Sequence, residues 1–149
     1  MERNIAIFLR HFRYSDIEVL RSQILPGYSD DEIFKTLEQW NTHEYDDLPF
    51  EMYAICANTT IVGSLTLRLC DDYATVCLHP EILPKFRRKG YAKAAMAQAI
   101  ELLRTHEYVS LSAQIPKDNV ASIRLHEALG YKRNGESVNS PFLTYTLHL

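Results

Sequence analysis

A chain of 149 residues with 46% hydrophobic content suits one soluble domain with a real core. Its net charge of −3 argues against a general nucleic-acid binder. No stretch approaches the ~20 apolar residues that span a bilayer, and the run from Ile5 to Leu9 is too short for a signal-peptide core and is closed by Arg10 and Arg13. The three cysteines, Cys56, Cys70 and Cys77, form no C-x-x-C pair, and an odd count without a secretory signal predicts reduced thiols in a cytoplasmic protein.

In chain order, residues 4–12 read as a first strand. Ser15 or Asp16 can cap a helix that runs to about Leu25 and ends at Pro26-Gly27. Ser29 and Glu32 have capping-box spacing and open a second helix, with Ile33, Leu37 and Trp40 on one side. Residues 42–49 read as a polar loop. Residues 50–57 and 60–69 form an antiparallel hairpin around Asn58-Thr59, and residues 74–83 add a third strand. From Tyr91 to Arg104 an alanine-rich run without proline or glycine predicts a helix burying Ala92, Ala95, Met96, Ala99, Leu102 and Leu103. Residues 108–115 alternate as a strand of period two. Asp118 is the expected cap of a helix from Asn119 to Leu129, stopped by Gly130. Residues 131–133 and 136–138 are expected to pair across Asn134-Gly135, before a closing strand at 142–149. The order β-α-α-β-β-β-α-β-α-β-β makes one mixed α/β (α+β) domain over residues 1–149, with no internal repeat or linker.

Charge is unevenly placed. Asp16, Glu18, Asp30, Asp31, Glu32, Glu38, Glu44, Asp46 and Asp47 face only Arg21 and Lys35 within residues 15–47, so this lobe is expected to favour cations. Lys85, Arg87, Arg88, Lys89 and Lys93 form a basic run without an acid, interrupted by Gly90. A strand end, a basic glycine turn and a helix start form an anion-binding structure, because the first helical turn has free N–H groups and a partial positive charge. Neither a P-loop nor a dinucleotide fingerprint fits: no Lys-Ser/Thr follows Gly90, and the five glycines are too scattered.

Arg87-Arg88-Lys89-Gly90-Tyr91-Ala92, preceded by Ile82-Leu83-Pro84, resembles the pyrophosphate-binding motif of the GNAT acyltransferase superfamily, Arg/Gln-x-x-Gly-x-Gly/Ala after a strand ending Val-x-Pro. The segment from Asn119 to Tyr131 resembles that family's second signature, Asn-x-x-Ser/Ala-x-x-Leu-Tyr/His-x-x-x-Gly-Phe/Tyr. The likeness is tight from Ile82 to Tyr131 and loose before it. It implies a GNAT fold, a mostly antiparallel mixed sheet flanked by helices. It also implies acetyl transfer from acetyl-CoA, as co-substrate, to a primary amine by direct attack in a ternary complex. The backbone from Arg88 to Lys93 would hold the pyrophosphate. The pantetheine would pair like an extra strand with Ile82 and its neighbours, between about Glu81 and Gln114, and lie against the helix bearing Asn119 and Ser122. A strand N–H would polarise the thioester carbonyl.

The resemblance leaves the proton transfers open. The family often has a tyrosine donor where this chain has His126; a protonated imidazole there and an exposed, uninvolved histidine both fit the sequence. Glu81 or His79, on one parity of the strand before the loop, is the candidate base, directly or through water; Glu81 could equally solvate a strand end, and Pro80 threatens the register. Cys77 is not expected to act as a nucleophile, and neither His79-Pro-Glu81 nor His126-Glu127 has metal-ligand spacing, so no metal site is expected. Small-molecule amine, polyamine, antibiotic and protein N-terminus or lysine all remain open as acceptors, and fold analogy suggests a homodimer through the last strands. A non-catalytic acyl-CoA-binding domain and, with less support, a nucleic-acid-binding module are the alternatives; no membrane partner is expected.

Overall fold

The computed structural model describes residues 5–70, 72, 74–135 and 139–149. The fold is organised by a long hairpin whose inward residues are aliphatic. β3 (Leu48–Ala57) and β4 (Thr60–Leu69) pair antiparallel, and Asn58 takes the left-handed φ of 53° that the tight connection requires. Ile55, Val62 and Leu65 are fully buried, each worth roughly 1.5–3 kcal/mol of apolar transfer. β1 (Ile7–His11) pairs antiparallel with the free edge of β3, and β5 (Thr75–Ile82) with that of β4. Beyond β5 the sheet continues through β6 (Ser110–Pro116), β8 (Phe142–His148) and β7 (Lys132–Arg133), giving the order β1-β3-β4-β5-β6-β8-β7. A two-residue strand, β2 (Glu44–Tyr45), pairs with the start of β3.

Each face of the sheet has its own helical cover. On one face, Tyr14–Asp16 forms a 3-10 turn, followed by α1 (Ile17–Val19), a π-helical turn (Leu20–Ile24) and α2 (Asp30–Trp40). Leu20, Ile33 and Leu37 from these segments pack with Phe12, Ala54, Cys56 and Ile61. On the other, α3 (Tyr91–Arg104) sends Ala95, Met96, Ala99 and Leu103 into a cluster with Ile55, Leu65, Val76, Leu78 and Leu111. α4 (Val120–Ala128) follows β6. No helix among the described residues is long and apolar enough to cross a membrane.

Several expectations are corrected. The first helix is not regular: the Leu25 N–H reaches Leu20 C=O, 2.8 Å away and five residues back, so the chain widens into a π turn before Pro26. The expected polar loop at 42–49 contains a hairpin, with Asp46 (φ 50°) and Asp47 (φ 63°) both left-handed in the two-residue turn. In α3, Ile100 is buried and Leu102 is 46% exposed, because a stripe of 3.6-residue period through Ala95, Met96 and Ala99 continues to Ile100 and Leu103. Asn119, not Asp118, caps α4: its side-chain oxygen accepts the Ser122 N–H at 3.1 Å. Lys132 and Arg133 pair with Thr146 and Tyr145 of β8; the strand partner expected for them, residues 136–138, lies outside the described residues.

Asp16 holds the N-cap position of α1 but makes no side-chain cap bond to it, and it is not part of a solvated acidic face. Its carboxylate is nearly buried and accepts two 2.8 Å bonds from the Arg10 guanidinium and one of 2.9 Å from the Arg13 N–H. Burial pushes its pKa up, but the Arg10 and Arg13 bonds outweigh it and hold the acid below its usual value. Asp16→Asn is expected to destabilise the domain by roughly 2–3 kcal/mol, since it leaves Arg10 without its charge partner. Because the folded-state pKa is lowered, the difference from wild type should be full above the unfolded-state value of about 4 and vanish as pH falls through the folded value. Urea unfolding of both proteins across pH 2 to 7 measures it.

Candidate active site

The site begins where β5 and β6 stop pairing. Only Thr75 and Val76 pair, in parallel, with Ser110 and Leu111; from Cys77 onward the strands diverge. The cleft between them has a volume of about 870 Å³. The backbone direction along β5 follows from three bonds: Ala74 C=O accepts from Val109 on the β6 side, whereas Thr75 C=O accepts from Cys70 and the Leu83 N–H donates to Val62 C=O, both on the β4 side. The β4 register runs without a shift from Val76 to Ile82, so the backbone groups of Leu78, Pro80 and Ile82 point into the gap. Pro80 therefore interrupts no ladder. It sits where its missing N–H faces the cleft, which leaves the N–H groups of Leu78 and Ile82 as the donors of this strand there. At the open end, Gly63 lets β5 lie close against β4: a Cβ there would be 2.2 Å from the Glu81 carbonyl oxygen, so only glycine fits.

One end of the cleft is the basic turn. After a 3-10 turn at Pro84–Phe86, Arg88 (φ 64°) and Gly90 (φ 80°) both take left-handed backbone, and Gly90 is the N-cap of α3. Glycine has no side chain to cap with, and the first helical bond runs from Ala94 N–H to Gly90 C=O at 3.1 Å. The N–H groups of Tyr91, Ala92 and Lys93 thus remain at the wall of the cleft, at the positive end of a 14-residue helix. Arg87 folds back so that its Nε donates to Ile82 C=O at 3.0 Å, with Nη2 3.6 Å from the Glu81 carboxylate.

The opposite wall is α4. Asn119, Ser122 and His126 share its cleft face. His126 is only 5% exposed, so it is not a histidine on a wet helix face. The helix ends in a Schellman cap at Gly130 (φ 98°): the Tyr131 N–H reaches His126 C=O and the Gly130 N–H reaches Glu127 C=O, both at 3.0 Å. That cap turns the Tyr131 ring edge-on to the imidazole at 4.8 Å. The His126 Nδ1 lies 2.7 Å from Ser122 C=O, an acceptor, and so must carry the proton; in the neutral ring Nε2 keeps its lone pair. Burial lowers the pKa of His126, only partly offset by the bond to Ser122, which favours that neutral ring.

His79 joins this cleft to a second one. Its side chain lines a pocket of about 570 Å³ on the α2 face of the sheet, whose walls include Trp40, Tyr45, Phe50, Lys35 and Arg68. Desolvation, the nearby Arg68 charge and His126 together lower the imidazole pKa from the ordinary histidine range, although the residue as a whole is exposed to solvent. Glu81 also lines the cofactor-sized cleft but not this pocket, and its carboxylate is the one near Arg87.

Of the residues singled out in the sequence, His79, Glu81, Ile82, Arg87, Arg88, Gly90, Tyr91, Ala92, Lys93, Asn119, Ser122 and His126 come together around one cleft. Leu83, Pro84 and Lys89 do not line it. Leu83 turns to the opposite face of the sheet and is buried there, because its N–H is held by Val62; Pro84 opens the 3-10 turn, and Lys89 is solvent-exposed. Sequence spacing showed no thiol pair, yet the sulfurs of Cys70 and Cys77 lie 3.2 Å apart, and burial followed by this contact pushes the Cys70 thiol up to about 12. Cys77 does not line the cleft. The aromatic pocket was missed, since its walls come from α2, β2, β3 and β4; the alternation of Thr66 and Arg68 on β4 was the available signal.

Known proteins share this fold. The acetyltransferase (GNAT) family profile matches residues 15–131. A curated relative, the SPbeta prophage-derived uncharacterized N-acetyltransferase YokL of Bacillus subtilis (strain 168), is 24% identical over 121 residues, covering 72% of this chain and 68% of that protein. A solved structure of a probable acetyltransferase superposes with a TM-score of 0.78 at 21% identity, covering 95% of this chain and 92% of the other. RimL, the ribosomal L7/L12 alpha-N-protein acetyltransferase in complex with coenzyme A, also reaches 0.78, at 14% identity and with coverage of 97% and 94%. With the profile spanning most of its length, the chain belongs to the GNAT family of acetyl-CoA-dependent N-acetyltransferases.

Proposed function

We propose that this domain transfers the acetyl group of acetyl-CoA to the primary amine of a small molecule or peptide with an apolar or aromatic body. The observation that carries this reading is His79, which borders both the cleft between β5 and β6 and the aromatic pocket on the α2 face. In this reading the pyrophosphate lies against the N–H groups of Tyr91, Ala92 and Lys93, where helix end and basic turn favour an anion. The pantetheine amides pair with the unclaimed edge of β5 and lie against Asn119 and Ser122. With no N–H on Pro80, the Leu78 N–H is the donor left at the inner end of the strand for the thioester oxygen, and one such donor contributes ~3–4 kcal/mol where charge develops.

The acceptor enters through the aromatic pocket. Its walls carry two cations, Lys35 and Arg68, neither in an ion pair among the described residues, and one carboxylate, Glu44. That balance disfavours a polyamine and favours an amine attached to an apolar or anionic body. His79, neutral at pH 7, takes the ammonium proton directly or through water. The amine nitrogen then attacks the carbonyl carbon, the C–N bond forms, the C–S bond breaks with the electron pair leaving on sulfur, and the second proton lost by nitrogen passes to that thiolate to give the thiol of CoA. A thiol near pKa 8.5 is a fair leaving group, so the step asks little of an acid. His126, neutral and with its free Nε2, is an acceptor in this state and acts by positioning the thiol end, not as a protonated acid.

Calorimetric titration with acetyl-CoA, with dephospho-CoA and ATP as controls, is the first test; selective binding supports the reading and its absence rejects it. Gly90→Glu should weaken acetyl-CoA by at least about tenfold, since it brings negative charge to the helix end; a side chain there meets no atom within 4 Å, and its left-handed φ of 80° costs roughly 1–2 kcal/mol, too little to unfold the domain. His79→Ala should lower kcat/KM by roughly 10²-fold. In wild type, activity should fall on the acid side through a pKa below the usual 6.5, because protonated His79 cannot accept the proton; the variant should lack that limb. His126→Ala should lower turnover more than acetyl-CoA affinity, and equal losses in both would reduce His126 to a packing residue.

A further inference from the structure

Two imidazoles from separate segments of the chain converge on one carboxylate oxygen. His11 ends β1, His43 lies in the bend between α2 and β2, and Glu51 belongs to β3. The His11 Nε2 is 2.6 Å and the His43 Nδ1 2.8 Å from the same Glu51 Oε2, and all three atoms lie within 4.8 Å of one another. Glu51 follows Phe50 on its strand, so the cluster lies on the opposite face of the sheet from the aromatic pocket.

The rings are held, not loose. Tyr53 packs against the His11 ring at 4.8 Å with a tilt of 31°, and His43 meets His11 edge-on at 5.2 Å. The His43 backbone is left-handed, φ 59°, a strained conformation for a residue with a Cβ. It is kept there by the hairpin, since its C=O accepts the Phe50 N–H at 2.9 Å.

We infer that His11, His43 and Glu51 form a binding site for a first-row divalent transition-metal ion, for which zinc is the best fit. Two imidazoles and one carboxylate are a ligand set for such ions, whereas calcium and magnesium prefer oxygen throughout. Without an ion, the two rings donate N–H bonds to the shared oxygen. Moving each ring proton to the outward nitrogen turns both lone pairs toward the same point, with no net loss of protons from neutral rings. Zinc bonds of 2.0–2.1 Å put tetrahedral ligand atoms about 3.3 Å apart. The Glu51 oxygen must therefore back away by about half an ångström, and the two ring nitrogens, now within 4.8 Å of each other, close by up to about 1.5 Å between them, a side-chain adjustment. The site is separate from the cofactor cleft, whose walls contain none of the three, and does not depend on the catalytic reading. Its effect is to clamp the bend that leads into the Glu44–Tyr45 hairpin, and Tyr45 is a wall of the aromatic pocket.

The test uses the full chain, stripped with a chelator and dialysed. Co²⁺ is titrated by visible d–d absorption and Zn²⁺ by calorimetry, for wild type, His43→Ala and Glu51→Gln. The expected result is one saturable equivalent in wild type, weakened more than about tenfold in both variants, since loss of even an outer partner of a metal ligand costs 10–100-fold. Circular dichroism melts identify folded variants; His43 lies in an exposed bend, and Gln keeps the shape of Glu51, so the two fail independently. Absence of saturable binding in wild type overturns the inference. So does binding that persists unchanged in either folded variant, because it assigns the ion to other histidines.

Discussion

A sheet interior ordinarily leaves no backbone donor or acceptor without a partner, and β5 breaks that constraint in the middle of this one. After two pairs with β6, its inward edge presents to an open cleft N–H and C=O groups that no strand claims, of which Ile82 C=O is met by Arg87. Such groups need water or a ligand, so the ends of the surrounding elements become functional. The glycine turn lies at the outer end of the gap, α4 along its far side and His79 at the boundary with the other face. The rest of the chain keeps the strands apart: β4 holds β5 through an unbroken register, and β8 holds β6 along its whole length.

Four of the nine acids of the first lobe are bound locally. Asp16 binds Arg10 and Arg13, Glu18 and Asp30 both bind Arg21, and Glu32 closes the capping box on Ser29. Part of the charge that looks like a cation-attracting surface in the sequence is spent locally once the helices form. What remains near the aromatic pocket is a different mixture, in which Lys35 and Arg68 outnumber Glu44. Composition over a lobe and composition over a cavity are different quantities, and only the second concerns a substrate.

The elements with strong local signals were legible: the alanine-rich run of α3, the Ser29–Glu32 box, the alternation of β3 to β6 and the motif residues around Gly90 and Asn119. Boundaries failed where a tertiary contact overrode a local preference. Asp16 left its capping role for Arg10, and the 42–49 stretch became a hairpin because Asp46 and Asp47 accept left-handed backbone. The burial of His126 could not be read from the helix alone, since it depends on the cleft wall and the Tyr131 ring. Nor could the convergence of His11, His43 and Glu51, which requires knowing that β1 lies antiparallel beside β3.

Pro80 has one more implication, for how a ligand arrives. Two parallel strands that diverge after one good start could in principle zip together when nothing lies between them, and a visitor would then have to break that ladder. Proline at a gap-facing position cannot donate to β6, so the zipped state loses a rung at the point where closure would propagate. The free chain is thereby held in the splayed form. Entry becomes a docking event onto a pre-set edge, with no inter-strand hydrogen bonds to exchange, and its speed is governed by approach to the cationic mouth and not by an opening step of the protein.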